Sequence, residues 1–363
     1  MSQRAALVAT FVVTALALLL SFVHAPPLAV FLAAAVAILG LAGALGGATE
    51  ELSGHLGHKV SAILNATVGN VGEILIAIFA LRAGLVDFVK ASITGSIIGN
   101  LLLVFGASAL VGGRKHGVQR FDARVAGMHA AQLVLATIGL LVPALFAHLV
   151  HAGAPGPTAL PGAAPVAHPE GSIEGVTLGV ACVLLVTYGL SVAYDLSRPA
   201  PPRAHPATGS WRAPLARLVV AAALLGWVSE VLVGAVEPVI EHFGLSPLFL
   251  GAIVIPIIGN LAENFVALEL AKKNQIDFAL AIALGSATQV ALFAAPVLVF
   301  ASLALGHPLT LVFTPFEIVA VGAGAVVTAL LCLDGETNWL EGAQLLATYL
   351  ILAVAFYFLP GRG

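Results

Sequence analysis

Two stretches decide how this chain folds: residues 66–81, ATVGNVGEILIAIFAL, and residues 256–271, PIIGNLAENFVALELA. Both carry the pattern G-N-x-x-E, at Gly69-Asn70-Val71-Gly72-Glu73 and at Gly259-Asn260-Leu261-Ala262-Glu263, 190 residues apart. The same offset relates Asp87-Phe88 to Asp277-Phe278, Gly95-Ser96 to Gly285-Ser286, and Glu51 to Glu241; no gap is needed from Gly69 to Ser96. A five-residue pattern met once is weak, but one that recurs with its neighbours in register reads as a duplication. Each glutamate lies near the middle of an apolar run, where an ionised carboxylate is costly and functional by default.

The surroundings of the two copies are those of a membrane protein. Of 363 residues, 60% are hydrophobic and 9% charged, against roughly a quarter charged in an ordinary soluble domain. The mean hydropathy is +1.06. The 38 glycines and 20 prolines sit among Ala/Leu/Val runs, so the composition is apolar rather than disordered. A soluble enzyme of this length is excluded, because so few charges do not cover its surface. The net charge of −3 and pI near 6.4 leave no basic footprint for nucleic acid. Cys182 and Cys332 lie inside apolar runs, without metal-ligand spacing, and read as small core residues.

A membrane-spanning helix needs roughly 20 apolar residues. Eleven stretches meet that length, at approximately 5–23, 27–46, 60–81, 88–111, 125–150, 173–194, 214–240, 247–271, 278–304, 311–333 and 339–359. Arg4, the apolar run after it and Val23-His24-Ala25 give the first the outline of a signal peptide. A second apolar run follows at once from Pro26-Pro27, which favours a retained helix. With the N-terminus in the cytoplasm and connections alternating, twelve of the fifteen Lys and Arg residues fall inside. Arg82, Lys90 and Arg362 alone fall outside. This bias sets eleven spans, N-terminus in and C-terminus out, as the expected topology. Residues 151–171 form an outer proline-rich loop, and 196–212, LSRPAPPRAHPATGSWR, an inner linker.

The expected fold is therefore an all-α polytopic membrane protein of about eleven transmembrane helices, one plus two five-helix repeats. Residues 1–26 hold the first helix, 27–195 the first repeat, 196–212 the linker and 213–363 the second repeat. Five is an odd number, so the two copies insert with opposite orientation. Secondary transporters commonly use such inverted repeats and bind substrate where the repeats meet.

The repeated residues point to hard-cation chemistry. Asn70 and Glu73, and likewise Asn260 and Glu263, are three apart and share a helix face. The glycine before each Asn lets a neighbouring backbone approach or the helix open, and Pro256 favours a break upstream of the second copy. The following span of each half adds Ser96 and Asn100, and Ser286 and Gln289, each pair on one face. Two carboxylates with amide, hydroxyl and freed carbonyl oxygens make an all-oxygen set, without Cys or His at ligand spacing. Ca²⁺ takes about 6–8 oxygens, and two carboxylates match its charge. Without the cation, two neighbouring carboxylates in a low-dielectric site do not both stay charged, so they take up protons. Cation and protons then compete for the same oxygens, and no separate proton path is needed. No Lys or Arg lies in either span to make these glutamates a structural ion pair.

Other acids in apolar runs are candidates for an access path: Glu230 and Glu237, seven apart and so on one face, and Glu317. Glu50 and Glu51, near His55 and His58, suggest a cation-gathering vestibule or simply a solvated cluster. The other histidines, including His129 and His148, read as packing or interfacial residues.

The two quoted stretches resemble the paired alpha-repeat motifs of the Ca²⁺/H⁺ exchanger branch of the Ca²⁺/cation antiporters. ASITGSIIGNLLLVFG at 91–106, ALGSATQVALF at 283–293 and LDGETNWLEG at 333–342 strengthen the match, the last without evident chemistry of its own. The resemblance spans about residues 45–359. It implies eleven helices, one plus two inverted five-helix repeats, exchanging cytosolic Ca²⁺ for H⁺. Glu73 and Glu263 would bind the cation, with Asn70, Asn260 and Gln289 implicated by the same motifs. It also implies no cofactor beyond Ca²⁺ as cargo. The partners are Ca²⁺, H⁺ and the bilayer of a prokaryotic inner membrane, with a homo-oligomer left open. The basic linker departs from the acidic segment many relatives carry there. Gly72 stands where relatives often have a larger residue.

Two alternatives stay within transport: a Na⁺-coupled Ca²⁺ exchanger, though sodium-exchanging relatives carry Ser/Thr-rich repeats, and a passive cation channel. An intramembrane enzyme is the other class. Gly106-Ala107-Ser108-Ala109 faintly resembles a rhomboid-type nucleophile motif, but its last residue is Ala, HExxH is absent, and a protease leaves the duplication unexplained.

Overall fold

The computed structural model describes residues 3–56, 58–151, 169–197 and 210–359. Most of the expected outer loop and inner linker lie outside these residues, as do Arg198, Arg203 and Arg362. The first half is built of α1 (Gln3–Phe22), α2 (Pro27–His55), α3 (His58–Val68), α4 (Val71–Arg82), α5 (Val86–Ile98), α6 (Phe105–His116), α7 (Ala123–His151) and α8 (Pro169–Ser197). The second contains α9 (Arg212–Gly234), α10 (Val236–Phe243), α11 (Pro247–Phe249), α12 (Ile255–Lys272), α13 (Ile276–Gln289), α14 (Ala295–Leu305), α15 (Pro315–Leu331) and α16 (Trp339–Phe358). π-helical segments Gly99–Val104, Leu250–Val254 and Val290–Ala294 join α5 to α6, α11 to α12, and α13 to α14.

The chain is an all-α polytopic membrane protein. Among the described residues eight helical runs are long and apolar enough to cross a membrane, and Pro247–Lys272, bent by 65° just before Glu263, makes a ninth. The other two expected stretches are helical but shorter. Pro315–Leu331 has 17 residues, and the third stretch is two half-helices, α3 and α4, meeting at Gly69-Asn70. The second helix runs on to His55 instead of ending at 46. Large apolar side chains such as Phe22, Val186, Leu350 and Phe358 project outward, where water would penalise them and lipid does not. Inward faces are lined by Ala, Leu, Ile and Phe packed in one continuous core.

Element boundaries recur at the offset of 190. α5 and α13 begin at 86 and 276, α6 and α14 at 105 and 295, and α4 and α12 end at 82 and 272. A π segment follows α5 and α13 alike; such segments often mark functional sites. The connections also sort by end. Lys115 and His116 bond the Lys272 carbonyl, Asp122 N–H bonds Asp277, and Gln119 bonds Asn274, all at one end. At the other end Lys90 bonds the Val312 carbonyl and Gly84 faces His307.

LDGETNWLEG acquires a role here. Gly335 turns the chain at φ +74°, a backbone conformation that favours glycine. β2 (Glu336–Thr337) then pairs antiparallel with β1 (Gln119–Arg120). Asn338 next caps α16, accepting from the Leu340 and Glu341 amides, while Glu341 accepts from the Asn338 amide. The string clips the α6–α7 connection to the start of α16.

Candidate functional site

Both copies of G-N-x-x-E lie at an interruption of a helix. In the first, Gly69-Asn70 separates α3 from α4, and Glu73 lies in the first turn of α4. In the second, Pro256 opens α12 after a π segment, and the helix bends just before Glu263. Half-helix ends at such breaks point free backbone groups at one place, which is tolerated in a membrane where they line a cavity.

The fold brings all eight expected ligand residues into one cluster. Ser96 Oγ donates to Glu73 Oε1 at 2.6 Å, and Asn260 also lies within hydrogen-bonding reach of Glu73. Asn70 Nδ2 donates to Gln289 Oε1 at 2.6 Å. Asn100 Nδ2 donates to Ser286 Oγ at 3.0 Å, and Ser286 reaches Glu263. Glu73 and Glu263 line the same cavity. The Asn70–Gln289, Asn100–Ser286 and Glu73–Asn260 contacts each join one copy to the other. Asn70, Ser96, Asn100, Asn260 and Ser286 are all buried.

The cluster is rich in acceptors that no protein group uses. Glu73 Oε2, Glu263 Oε2 and Asn100 Oδ1 are buried without a hydrogen-bond partner among the described residues. Such orphans are rare in a protein interior because each forfeits its hydration. A cation shared by these oxygens satisfies them together. No three His, Cys, Asp or Glu side chains converge among the described residues, so the donor set here is two carboxylates completed by amides and hydroxyls.

A cavity of about 640 Å³ reaches this cluster. It extends from Glu73, Glu263 and Gln289 past Gly285 and Gly43 to Thr49, Glu50 and Ser53 near the end of α2. None of the four expected access-path acids lines it. Glu51 pairs with Arg217 of α9. Glu230 faces Arg82 at 4.0 Å from a separate surface cleft. Glu237 is exposed on α10, beyond the one-residue turn at Ala235. Glu317 is buried, bonded to Thr94 and to the Thr314 amide in the capping box of α15, beside a small cavity of about 40 Å³. Glu50, one residue from the expected Glu51, is the acid at the cavity mouth. Gly43, Gly46, Gly47 and Glu50 follow helical spacing on α2, a signal present in the sequence but overshadowed by the Glu51–Glu241 register match. The Asn70–Gln289 bond and the π segments had no such signal.

A helical membrane protein whose two sequence copies break at the same motif, and bond to each other there, is of the internal-repeat class with a central polar site. The particular family is the sodium/calcium exchanger protein family, to which this chain belongs: the match covers residues 26–196 and 214–358. The chain is similar to the Ca²⁺/H⁺ antiporter of Aphanothece halophytica, 37% identical over 95% of this chain and 94% of that protein. It resembles the Ca²⁺/H⁺ antiporter of Synechocystis at 38% identity, over 91% of each. A solved structure of native YfkE superposes with a TM-score of 0.80 at 34% identity, covering 96% of this chain and all of that one.

Proposed function

We propose that this protein is a secondary active antiporter that exchanges cytosolic Ca²⁺ for H⁺ by alternating access. The observation that carries the reading is the pair of carboxylates, one from each copy, whose outer oxygens are buried and unpartnered at the head of a cavity. When Ca²⁺ enters, it takes these oxygens with the neighbouring amides and hydroxyls. When it leaves, the two carboxylates face each other in a low-dielectric site and bind protons instead. One set of groups thus carries either cargo but not both, which is what couples the fluxes. The antiporters named above, and the 35% identical Ca²⁺/H⁺ antiporter ChaA of Bacillus subtilis, support Ca²⁺ and H⁺ as the exchanged ions. Other divalent cations compete for the same oxygens.

The architecture we read is a first helix, a five-helix repeat over 27–195, a linker at 196–212 and an inverted five-helix repeat over 213–363. Recurrence of element boundaries at one offset supports the repeat. The N-terminus is cytoplasmic and the C-terminus outside, in a prokaryotic inner membrane; gathering of the Lys115, Lys272 and Gln119 contacts at one end supports that alternation. The cavity mouth at Glu50 and Ser53 then faces the cytoplasm. In inverted vesicles an imposed pH gradient should drive Ca²⁺ uptake without Na⁺. Uptake that requires Na⁺ and ignores pH overturns the reading, and downhill flux without accumulation makes the protein a channel.

A further inference from the structure

Gly95 on α5 lies so close to the second copy that a methyl group there would overlap the backbone of Ala252, its carbonyl included. Across the same crossing, a methyl group on Gly251 would stand 2.7 Å from the Phe88 carbonyl oxygen and 2.8 Å from Ala91 Cβ. These glycines let α5 and the segment 247–254 interlock, next in the chain to Ser96 of the central cluster. The offset of 190 gives every member of the interlock a counterpart: Gly285 for Gly95, Ser61 and Ala62 of α3 for Gly251 and Ala252, and Phe278 and Ala281 for Phe88 and Ala91.

The counterparts are apart. Nothing among the described residues lies within 4 Å of a methyl group built on Gly285, which lines the large cavity. α3 packs on α2 and α8, and the Ser61 hydroxyl donates to the Ser53 carbonyl of α2 at 2.8 Å. Sequence-equivalent pieces are thus locked on one side of the site and open on the other. Two halves that share these positions can exchange such arrangements, because each state makes the contacts the other gives up.

We infer that Gly285 is the closure point of the cavity. In the second state α3 moves onto α13, and its backbone at position 62 seats on Gly285 as Ala252 seats on Gly95, while segment 247–254 lifts off α5. The Ser61 hydroxyl leaves the Ser53 carbonyl in this motion. The copy is not perfect: where the sealed side has Gly251, α3 has Ser61, whose side chain keeps it off the Phe278 carbonyl. The close approach therefore falls on Gly285 alone, and a single methyl group there blocks it. This inference rests on the alternating-access reading above.

Gly285→Ala adds that methyl group in open space and improves helix propensity, so folding is preserved. In vesicles, Gly285→Ala should slow Ca²⁺/H⁺ exchange by at least about tenfold, since it removes one of two required states. Ca²⁺ binding to the purified protein and its Tm should match the wild type. Exchange at the wild-type rate overturns the inference, as does a loss of Ca²⁺ binding equal to the loss of exchange. A second measurement separates closure from transport: with Cys182 and Cys332 replaced by Ala, the pair Ser61→Cys and Ala281→Cys, counterparts of Gly251 and Ala91, should form an oxidant-induced crosslink that stops exchange and is reversed by reductant. No crosslink under any Ca²⁺ or pH condition overturns closure. A double-cysteine variant that crosslinks in this way, alongside a wild type that fails to exchange Ca²⁺ for H⁺, overturns the functional reading instead.

Discussion

Glu73 and Glu263 are alike in sequence but held differently: Ser96 and Asn260 serve the first, Ser286 the second. Both keep one buried oxygen free, so both are needed for a cation that none of the neighbours neutralises. Glu73→Gln and Glu263→Gln should each reduce pH-driven Ca²⁺ uptake to background while the protein still inserts and folds; retained flux in both variants sinks the assignment. Gln289, one of the expected ligands, also accepts from the Asn70 amide. Gln289→Leu leaves that amide without its acceptor and should weaken apparent Ca²⁺ affinity by about 10–100-fold, as loss of an orienting partner does at metal sites. The maximal rate should change less than the KM. On the proposed competition at the two glutamates, acidifying the Ca²⁺-loading side should raise the KM for Ca²⁺ steeply. Alkaline conditions on that side should lower it. A flat profile argues for separate proton and cation sites.

At the scale of elements, broken helices and capped helices divide the labour. The breaks at Gly69-Asn70 and before Glu263 expose polar groups where the copies meet, and the caps fix where α15 and α16 begin. Thr314 and Glu317 close a capping box on α15, and Asn338 and Glu341 close another on α16. Glu317 reads from sequence as a functional intramembrane acid, and the structure gives it a cap partner in Thr314 and a hydroxyl partner in Thr94. Asn338→Ala should cost about 1 kcal/mol, seen as a lower Tm in detergent, with the KM for Ca²⁺ unchanged. A matching loss of Ca²⁺ affinity would show that the α6–α16 clip also positions the site.

For the whole molecule the consequence is sidedness. The contacts of Lys115, His116, Gln119 and Asp122 with the 271–277 region gather one set of connections at one end, and those of Lys90 with Thr310 and Val312 gather another. In a variant with Cys182 and Cys332 replaced by Ala, a cysteine at Lys115 should react with a membrane-impermeant reagent only from the cytoplasm. A cysteine at Gly244 should react only from outside. The reverse pattern would invert the topology and turn the cavity mouth to the exterior.

The sequence by itself determined the membrane class, the repeated motif and eight polar residues that the fold brings into one cluster. Each of these rests on composition or on a fixed spacing, and both survive in one dimension. Only the tertiary structure decided which acids reach the cavity. Glu50 and Glu51 are neighbours in the chain, yet one lines the cavity and the other pairs with Arg217. A helix turns about 100° per residue, so single-residue placement depends on where each helix packs. The tertiary structure also decided that the two copies differ, with Gly95 locked and Gly285 free. A repeated spacing places like residues in both copies, but what packs against each is set by the three-dimensional neighbours.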